Sequence, residues 1–394
     1  MRSGRVGCWN SFFLDRSKFH KTKVGSIFVS VLFVVACLSA SATVNGVFVQ
    51  APDMAQGATS DLISPVHFQA TAESDLNITG YVIYVDGQNA FQNFIPLLDT
   101  WVVLAPGKHS VYLKAWDSSG SLASTATYAV NVTGFAPPSP PSNAIRITHI
   151  ARKAAQWTAD NNPDVGGVCQ NGEIVPFESN SDPNTANSPD SPKAGMHFRL
   201  TSECQYDDSL FYFKATQNPA ALAATNLMWD FWFYLPTTSR AGSIQALEFD
   251  LFQALPLNDG VHEFMFGSQC NYISNEWQLW LPQGGGLTWV NTGVSPCRFS
   301  TGAWHHATYF LQRVTPGGFP QLAASLNAET DTNSSLRFGT LTIDGHTSYL
   351  GAQSYSKIPS PAWSEVLGVQ HQLDSAMAGI TIDEYVDMES VIAW

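Results

Sequence analysis

Charge is scarce in this chain: only 13% of its 394 residues are Asp, Glu, Lys or Arg. With 12% aromatics, 29 Gly and 22 Pro, that scarcity argues against a helical cytosolic protein or a disordered one and points to an all-β extracellular chain. Basic residues are the scarcer sign, 19 against 32 acidic. No nucleic acid partner is therefore expected, nor an anionic lipid surface; a polyanionic substrate is disfavoured and a neutral partner fits best. There is no Cys-x-x-Cys or His-spaced pair for zinc. Nucleophile elbow, phosphate loop and dinucleotide fingerprint are all missing. No internal repeat and no long helical pattern occurs. The one strongly apolar run, Ile27 to Leu38, is too short to read first as a membrane span.

That run follows a basic stretch, Met1 to Lys23, and precedes the small residues Ala40-Ser41-Ala42, the order of a secretory signal peptide over 1–42. Val34-Val35-Ala36-Cys37 is a loose lipobox, so a lipid anchor at Cys37 is an alternative, with an uncleaved anchor as the weaker one. Without residues 1–42 the chain keeps 13 basic and 31 acidic side chains, a net charge of −18. The expected location is secreted or cell-surface, in a bacterial envelope. Cys169, Cys204, Cys270 and Cys297 are an even set in an exported chain and read as disulfides. Three connectivities exist; the shorter loops favour Cys169 with Cys204 and Cys270 with Cys297.

The length suits two domains. Residues 45–133 carry short β-rich runs such as GYVIYVDG and GKHSVYLKAWD, in which Val111, Leu113 and Ala115 alternate with Tyr112, Lys114 and Trp116. Asp86-Gly87 and Pro106-Gly107 mark turns. Residues 134–143 (GFAPPSPPSN) form a Pro-rich linker. From 144 to 394 a β pattern with aromatic-dense strands implies a large two-sheet jelly roll. The segment from Asn161 to Pro192 reads as a long stapled loop.

Within ALEFDLFQAL (246–255), Glu248 and Asp250 share one face of a strand while Leu247, Phe249 and Leu251 pack the other. Gln253 has the wrong parity, and a β-bulge near Leu251 or Phe252 restores it. Trp229, Trp232, Tyr234, Trp277, Trp280 and Trp289 offer stacking surfaces, although most Trp on such strands is core. Trp277 and Trp280 have opposite parity, so at most one faces a cleft with Glu248. Glu263 and Glu276 are further acids near the motif. His305 and His306 fall on opposite faces, and His262 and His371 are isolated. Asn77, Asn131 and Asn333 begin glycosylation sequons, a weak signal.

Residues 45–133 resemble bacterial immunoglobulin-like modules, carried by ITGYVIYVDG, LAPGKHSVYLKAWDSSG and ATYAVNV. The larger part resembles the concanavalin A-like lectin and glucanase superfamily, carried by Glu248-Phe249-Asp250-Leu251-Phe252-Gln253, GAWHHATYFLQRV and ITIDEYVDMESVIAW. The laminarinase and lichenase type within it reads Glu-x-Asp-x-x-Glu. By that resemblance Glu248 aligns with the nucleophile, Asp250 with the residue that tunes it, and Gln253 replaces the acid/base. A retaining hydrolase needs a second carboxyl about 5 Å from the nucleophile, a role an amide cannot fill, whereas Gln suits sugar hydroxyls. Superfamily members often hold a structural calcium; no metal and no cofactor are assigned here.

The fold expectation is therefore an all-β chain, an immunoglobulin-like sandwich followed by a concanavalin A-like jelly roll. The leading functional reading is an exported protein that binds a neutral polysaccharide through a degenerate glucanase-type site, with Glu248, Asp250, Gln253, Trp229, Trp232, Trp277 and Trp280 as its contacts. Its rivals are an active retaining β-glucanase-like hydrolase using Glu248 and an unidentified acid/base, and a surface adhesin or scaffold with no sugar site.

Overall fold

Nearly every described element is a strand, and each sandwich has its own buried core. The computed structural model describes residues 44–53, 59–160, 170–178, 189, 194–257, 260–283, 286–314, 335–354, 358–359 and 366–394. The signal segment, Cys37, Cys169, Asn333 and the His262 side chain lie outside the described residues.

The first sandwich comprises β1 (Val44–Ala51), β2 (Thr59–Ser64), β3 (Val66–Ser74), β4 (Ile78–Val85), β5 (Gln88–Asn93), β6 (Leu98–Val102), β7 (Gly107–Asp117), β8 (Leu122–Ser124) and β9 (Tyr128–Phe135). Its sheets run β1-β3-β6 and β2-β9-β7-β4-β5, with β8 beside β7. Val111, Leu113 and Ala115 are fully buried, and the intervening Tyr112, Lys114 and Trp116 are not, so the period-two pattern on β7 is a two-faced strand. Asp86 and Gly87 link β4 to β5 with φ of 50° and 78°, the left-handed pair a two-residue hairpin turn requires.

The second sandwich comprises β10 (Ile145–Ile147), β11 (Trp157–Asp160), β12 (Gln170–Glu178), β13 (Ala194–Ser202), β14 (Asp208–Thr216), helix α1 (Pro219–Ala223), β15 (Asn226–Tyr234), β16 (Ile244–Leu257), β17 (Gly260–Phe266), β18 (Ser268–Asn271), β19 (Glu276–Gln283), β20 (Gly286–Asn291), β21 (Trp304–Val314), β22 (Ser335–Ile343), β23 (His346–Ser354), β24 (Ile358–Pro359), β25 (Val366–Ser375) and β26 (Ile380–Ala393). One sheet, here the docking sheet, runs β12-β13-β26-β15-β21-β22-β23; the other, the polar sheet, runs β11-β14-β25-β16-β18-β19-β20. Their inner faces meet in an aromatic core that includes Phe198, Phe211, Phe213, Trp229, Phe231, Phe233, Phe249 and Trp277. Each such side chain contributes on the order of 1.5–3 kcal/mol by leaving water. Cys270 and Cys297 are joined, the pairing the shorter loop favours. Cys204 is also disulfide-bonded.

The outer faces of these two sheets have different fates. The first sandwich packs on the outer face of the docking sheet: Phe135 stacks on Tyr349 at 5.2 Å, Arg337 donates to the Ala90 carbonyl at 3.3 Å, and Gln312 donates to that of Trp101. Gly339 makes room there, since a Cβ on it would stand 3.0 Å from Val103. The first sandwich is thus docked through side-chain contacts. Among the described residues, the contacts named above fall on the docking sheet and not on the outer face of the polar sheet.

Candidate functional site

Strand register fixes what that outer face carries. On β16 the residues Ala246, Glu248, Asp250, Phe252 and Ala254 pair in unbroken order with Asp374, Gln372, Gln370, Gly368 and Val366 of β25. Glu248 pairs onward with Gln269 of β18, Gln269 with Gln278 of β19, and Gln278 with Asn291 of β20, beside the pair Trp280 and Trp289. On the opposite side Asp374 pairs with Asp208 of β14. Directly paired residues share a face, so a band of carboxyls and amides crosses the sheet from Asp208 to Asn291 and ends beside two indoles.

The band is recessed and internally bonded. Glu248, Asp250, Asp374, Gln370 and Gln269 are all under a tenth exposed. Asp250 accepts from the Ser268 backbone N–H at 2.9 Å and from Gln370 Nε2 at 2.9 Å. Gln372 donates to Asp374 at 2.8 Å, while Gln278 accepts from Gln269 and donates to Asn291 at 2.7 Å. Trp280 and Trp289 are half-buried, with centroids 4.9 Å apart. Gly267 brings Trp280 close: a Cβ there would stand 2.7 Å from that of Trp280 and 3.6 Å from Asp250 Oδ1. Phe252, Ala254 and Val366 form an apolar patch at one end of the band.

Burial pushes Glu248 well above the usual carboxylate range, and the charges of Asp374 and Asp250 push it further. Burial also raises Asp374, to about 7, and Glu248 and Asp374 are hydrogen-bonded to each other. Two carboxyl oxygens in that contact require a proton between them. Asp250 rises to about 7, burial and the charge of Glu263 outweighing the Ser268 N–H. At neutral pH this face holds acids that are partly protonated, able both to donate and to accept.

Several expected contacts are corrected. The β16 register is unbroken from Ala246 to Ala254, so no bulge re-aims Gln253. It is fully buried on the core side and donates to the carbonyls of Leu222 and Ala224 at 3.3 and 2.9 Å. Trp229 is likewise core, its Nε1 donating to Glu389 at 3.0 Å. Trp277 is 2% exposed in the same core. Trp232 lies on the outer face of the docking sheet, stacked on His306 at 4.6 Å. Trp280 alone of the four shares a face with Glu248 and Asp250, as the opposite parity of Trp277 requires.

Glu263 pairs with Ala254 and so lies on the outer face, and Glu276 is there too, accepting from the Gly293 N–H. Sequence reasoning missed Gln370, Gln372 and Asp374, although VQHQLD (369–374) alternates polar and core residues as clearly as LEFD does. It also missed the partners of His371. That side chain is fully buried, with Nε2 3.2 Å from Glu389 and Nδ1 3.4 Å from Glu384. Among the described residues no group of three or more His, Cys, Asp or Glu is arranged to hold a metal ion.

No family model matches this sequence, and no curated protein matches it. Among solved structures, one of carbohydrate-binding modules of the β-sandwich superfamily is 13% identical over 87% of this chain and 97% of its own, with a TM-score of 0.29. A carbohydrate esterase of the Shiga toxin-encoding bacteriophage phi24B is 14% identical over 64% of this chain and 99% of its own, at a TM-score of 0.33. Lectin I of Ulex europaeus, in complex with the methyl glycoside of α-L-fucose, is 9% identical over 64% of this chain and 99% of its own, at 0.29. At such identities and scores these likenesses decide nothing about ligand or chemistry.

Proposed function

We propose that the outer face of the polar sheet binds a neutral saccharide, in an exported protein whose residues 1–42 are removed or, in the anchored alternative, lipidated at Cys37. The observation that carries the reading is the band itself: Glu248, Asp250, Gln269, Gln278, Gln370, Gln372 and Asp374 in register beside Trp280 and Trp289. Amides and half-protonated acids match hydroxyl groups in both donor and acceptor roles, and an indole face suits the apolar side of a sugar ring. Gln253 and the degenerate-motif argument built on it drop out. Residues 144–394 hold this site, and 45–133 serve as the docked companion module.

The test is migration in native gels cast with laminarin, with barley β-glucan and with a galactan as comparison. The wild-type chain should be retarded by one class of glycan, and Trp280→Ala should run as if no glycan were present. Equal migration in all gels, or unchanged retardation of Trp280→Ala, would overturn the assignment.

One observation favours a second reading, a glycoside hydrolase. Asp374 supplies beside Glu248 the second carboxyl that Gln253 lacks. A hydrogen-bonded pair stands closer than the roughly 5–5.5 Å of a retaining site, so the two must separate to act on either side of a glycosidic bond. Reducing ends released from laminarin by the wild type and by neither Glu248→Gln nor Asp374→Asn would establish that reading over simple binding.

A further inference from the structure

We infer that the seam between the two sandwiches is a second binding site, one for an uncharged, ring-bearing small molecule with a hydroxyl or N–H donor. A cavity of about 630 Å³ lies there, lined by the first sandwich, the Pro-rich linker, α1 and the chain's last two residues. That volume falls inside the range of roughly 300–1,000 Å³ found for small-molecule pockets, which favour domain interfaces and mostly apolar walls with few polar groups.

One wall is the outer face of β3 and β6, where the imidazole of His67 and the indole of Trp101 stack with centroids 4.8 Å apart and planes 20° from parallel. Leu97 and, across the gap, Ala223, Ala224 and Trp394 make the surroundings apolar. The small Ala side chains leave the space that a planar ring would fill. The walls are tied together: Gln312 donates both to the Trp101 carbonyl of the first sandwich and, at 2.7 Å, to Asn226 Oδ1 of the second. The backbones of Asn226 and Trp394 exchange hydrogen bonds of 2.9 and 3.0 Å. A cavity braced in this way is preformed, which lowers the ordering cost of filling it.

The polar end sets the ligand's chemistry. His67 Nε2 and Asp99 Oδ1 are 2.6 Å apart, and among the described residues neither Asp99 Oδ2 nor His67 Nδ1 has a hydrogen-bond partner. Asp99 Oδ2 is thus a free acceptor at the rim of an apolar space. Among the described residues no Lys or Arg lines the cavity, so an anion meets the Asp99 carboxylate with only the His67 imidazole beside it. Apolar walls also penalise a cation. An uncharged ring with one donor satisfies all of these terms.

The probe is N-phenyl-1-naphthylamine, an uncharged pair of aromatic groups with one N–H, titrated against the full chain and followed by its fluorescence. We expect a saturable, one-to-one rise. Ala223→Trp, which fills the cavity, should weaken binding at least tenfold, and Trp101→Ala about fivefold. Should Ala223→Trp lose the wild-type melting transition, the surface variants Trp101→Ala and Asp99→Ala decide the matter. Non-saturable fluorescence, or wild-type affinity in Trp101→Ala together with Asp99→Ala, would overturn the site. Neither residue belongs to the polar sheet, so failure here leaves the saccharide reading standing.

Discussion

Two acid clusters lie on opposite faces of the polar sheet, the inner one formed with β26 of the docking sheet, and they neutralise buried carboxyls by different means. On the outer face of β16 and β25 stand Glu248, Asp250 and Asp374; on the core face, between Gln370 and Gln372, His371 pairs with Phe249 and reaches Glu384 and Glu389. Burial alone would lower His371, yet the charges and hydrogen bonds of Glu384 and Glu389 raise it to about 9. The core cluster is therefore held by a cation with carboxylates on both nitrogens, inside a cage that includes Phe198, Phe231, Trp229 and Phe249. Of the outer acids only Asp250 feels that cation, whose charge is outweighed by burial; no cation shifts Glu248 or Asp374, and protons take that role instead. A fixed cation makes a rigid structural element. Exchangeable protons leave a surface that can redirect its donors toward a ligand.

The largest effect expected from breaking this contrast is on the core side. Glu389→Leu removes one carboxylate from His371 and strips the Trp229 N–H of its acceptor. Breaking a buried pair by removing one partner costs about 3–5 kcal/mol, read as a fall in the free energy of unfolding by urea at pH 7. The isosteric Glu248→Gln on the outer face leaves no cation stranded and should cost less than 1 kcal/mol. Equal losses in the two variants would show that the clusters do not differ as argued.

How much of this was legible in the sequence follows from what periodicity can and cannot encode. Alternation assigned Glu248 and Asp250 to one face and Leu247, Phe249 and Leu251 to the other, because period two is a local property of a strand. The Asp86-Gly87 turn was legible for the same reason. Gln253 was misjudged because a bulge is a pairing defect, visible only once the partner strand β25 is known. Asp374 and Gln370 join Glu248 and Asp250 through register across more than a hundred residues of chain, which no local pattern reports. The Trp side chains show the limit of residue type: Trp229 and Trp277 were drawn into the core by their buried area, and only the face each occupies separates them from Trp280. His371 looked isolated because its partners lie on a strand that sequence spacing does not connect to it.

The next effect is a pair of pH windows. Asp250 and Asp374 have folded-state pKa values raised from 3.8 to about 7, so between those limits the folded chain binds more protons than the unfolded one and stability falls as pH rises. His371 is raised from 6.5 to about 9; its contribution is complete below 6.5 and is lost as pH climbs through 9. Melting temperatures recorded from pH 4 to 10 should therefore decline in two stages. Asp374→Asn should weaken the lower stage, with Asp250 carrying the remainder, and leave the upper one in place. His371→Gln should do the reverse, at a lower overall stability. A single decline, removed by neither variant, would mean that the clusters titrate together.

The smallest effect probes the Glu248 and Asp374 contact itself. Once the pH is high enough to remove the shared proton, two buried carboxylates face each other, a repulsion that either amide relieves. In that alkaline range Glu248→Gln and Asp374→Asn should each stabilise the chain, by about 1 kcal/mol. The double variant should add little beyond either single change, since one amide already removes the like-charge contact. That non-additivity, a coupling of roughly 1 kcal/mol in a double-mutant cycle, should shrink at pH 5, where the proton is present and the carboxyl pair is bonded. A coupling that is the same at both pH values would mean that packing, and not a shared proton, holds these two side chains together.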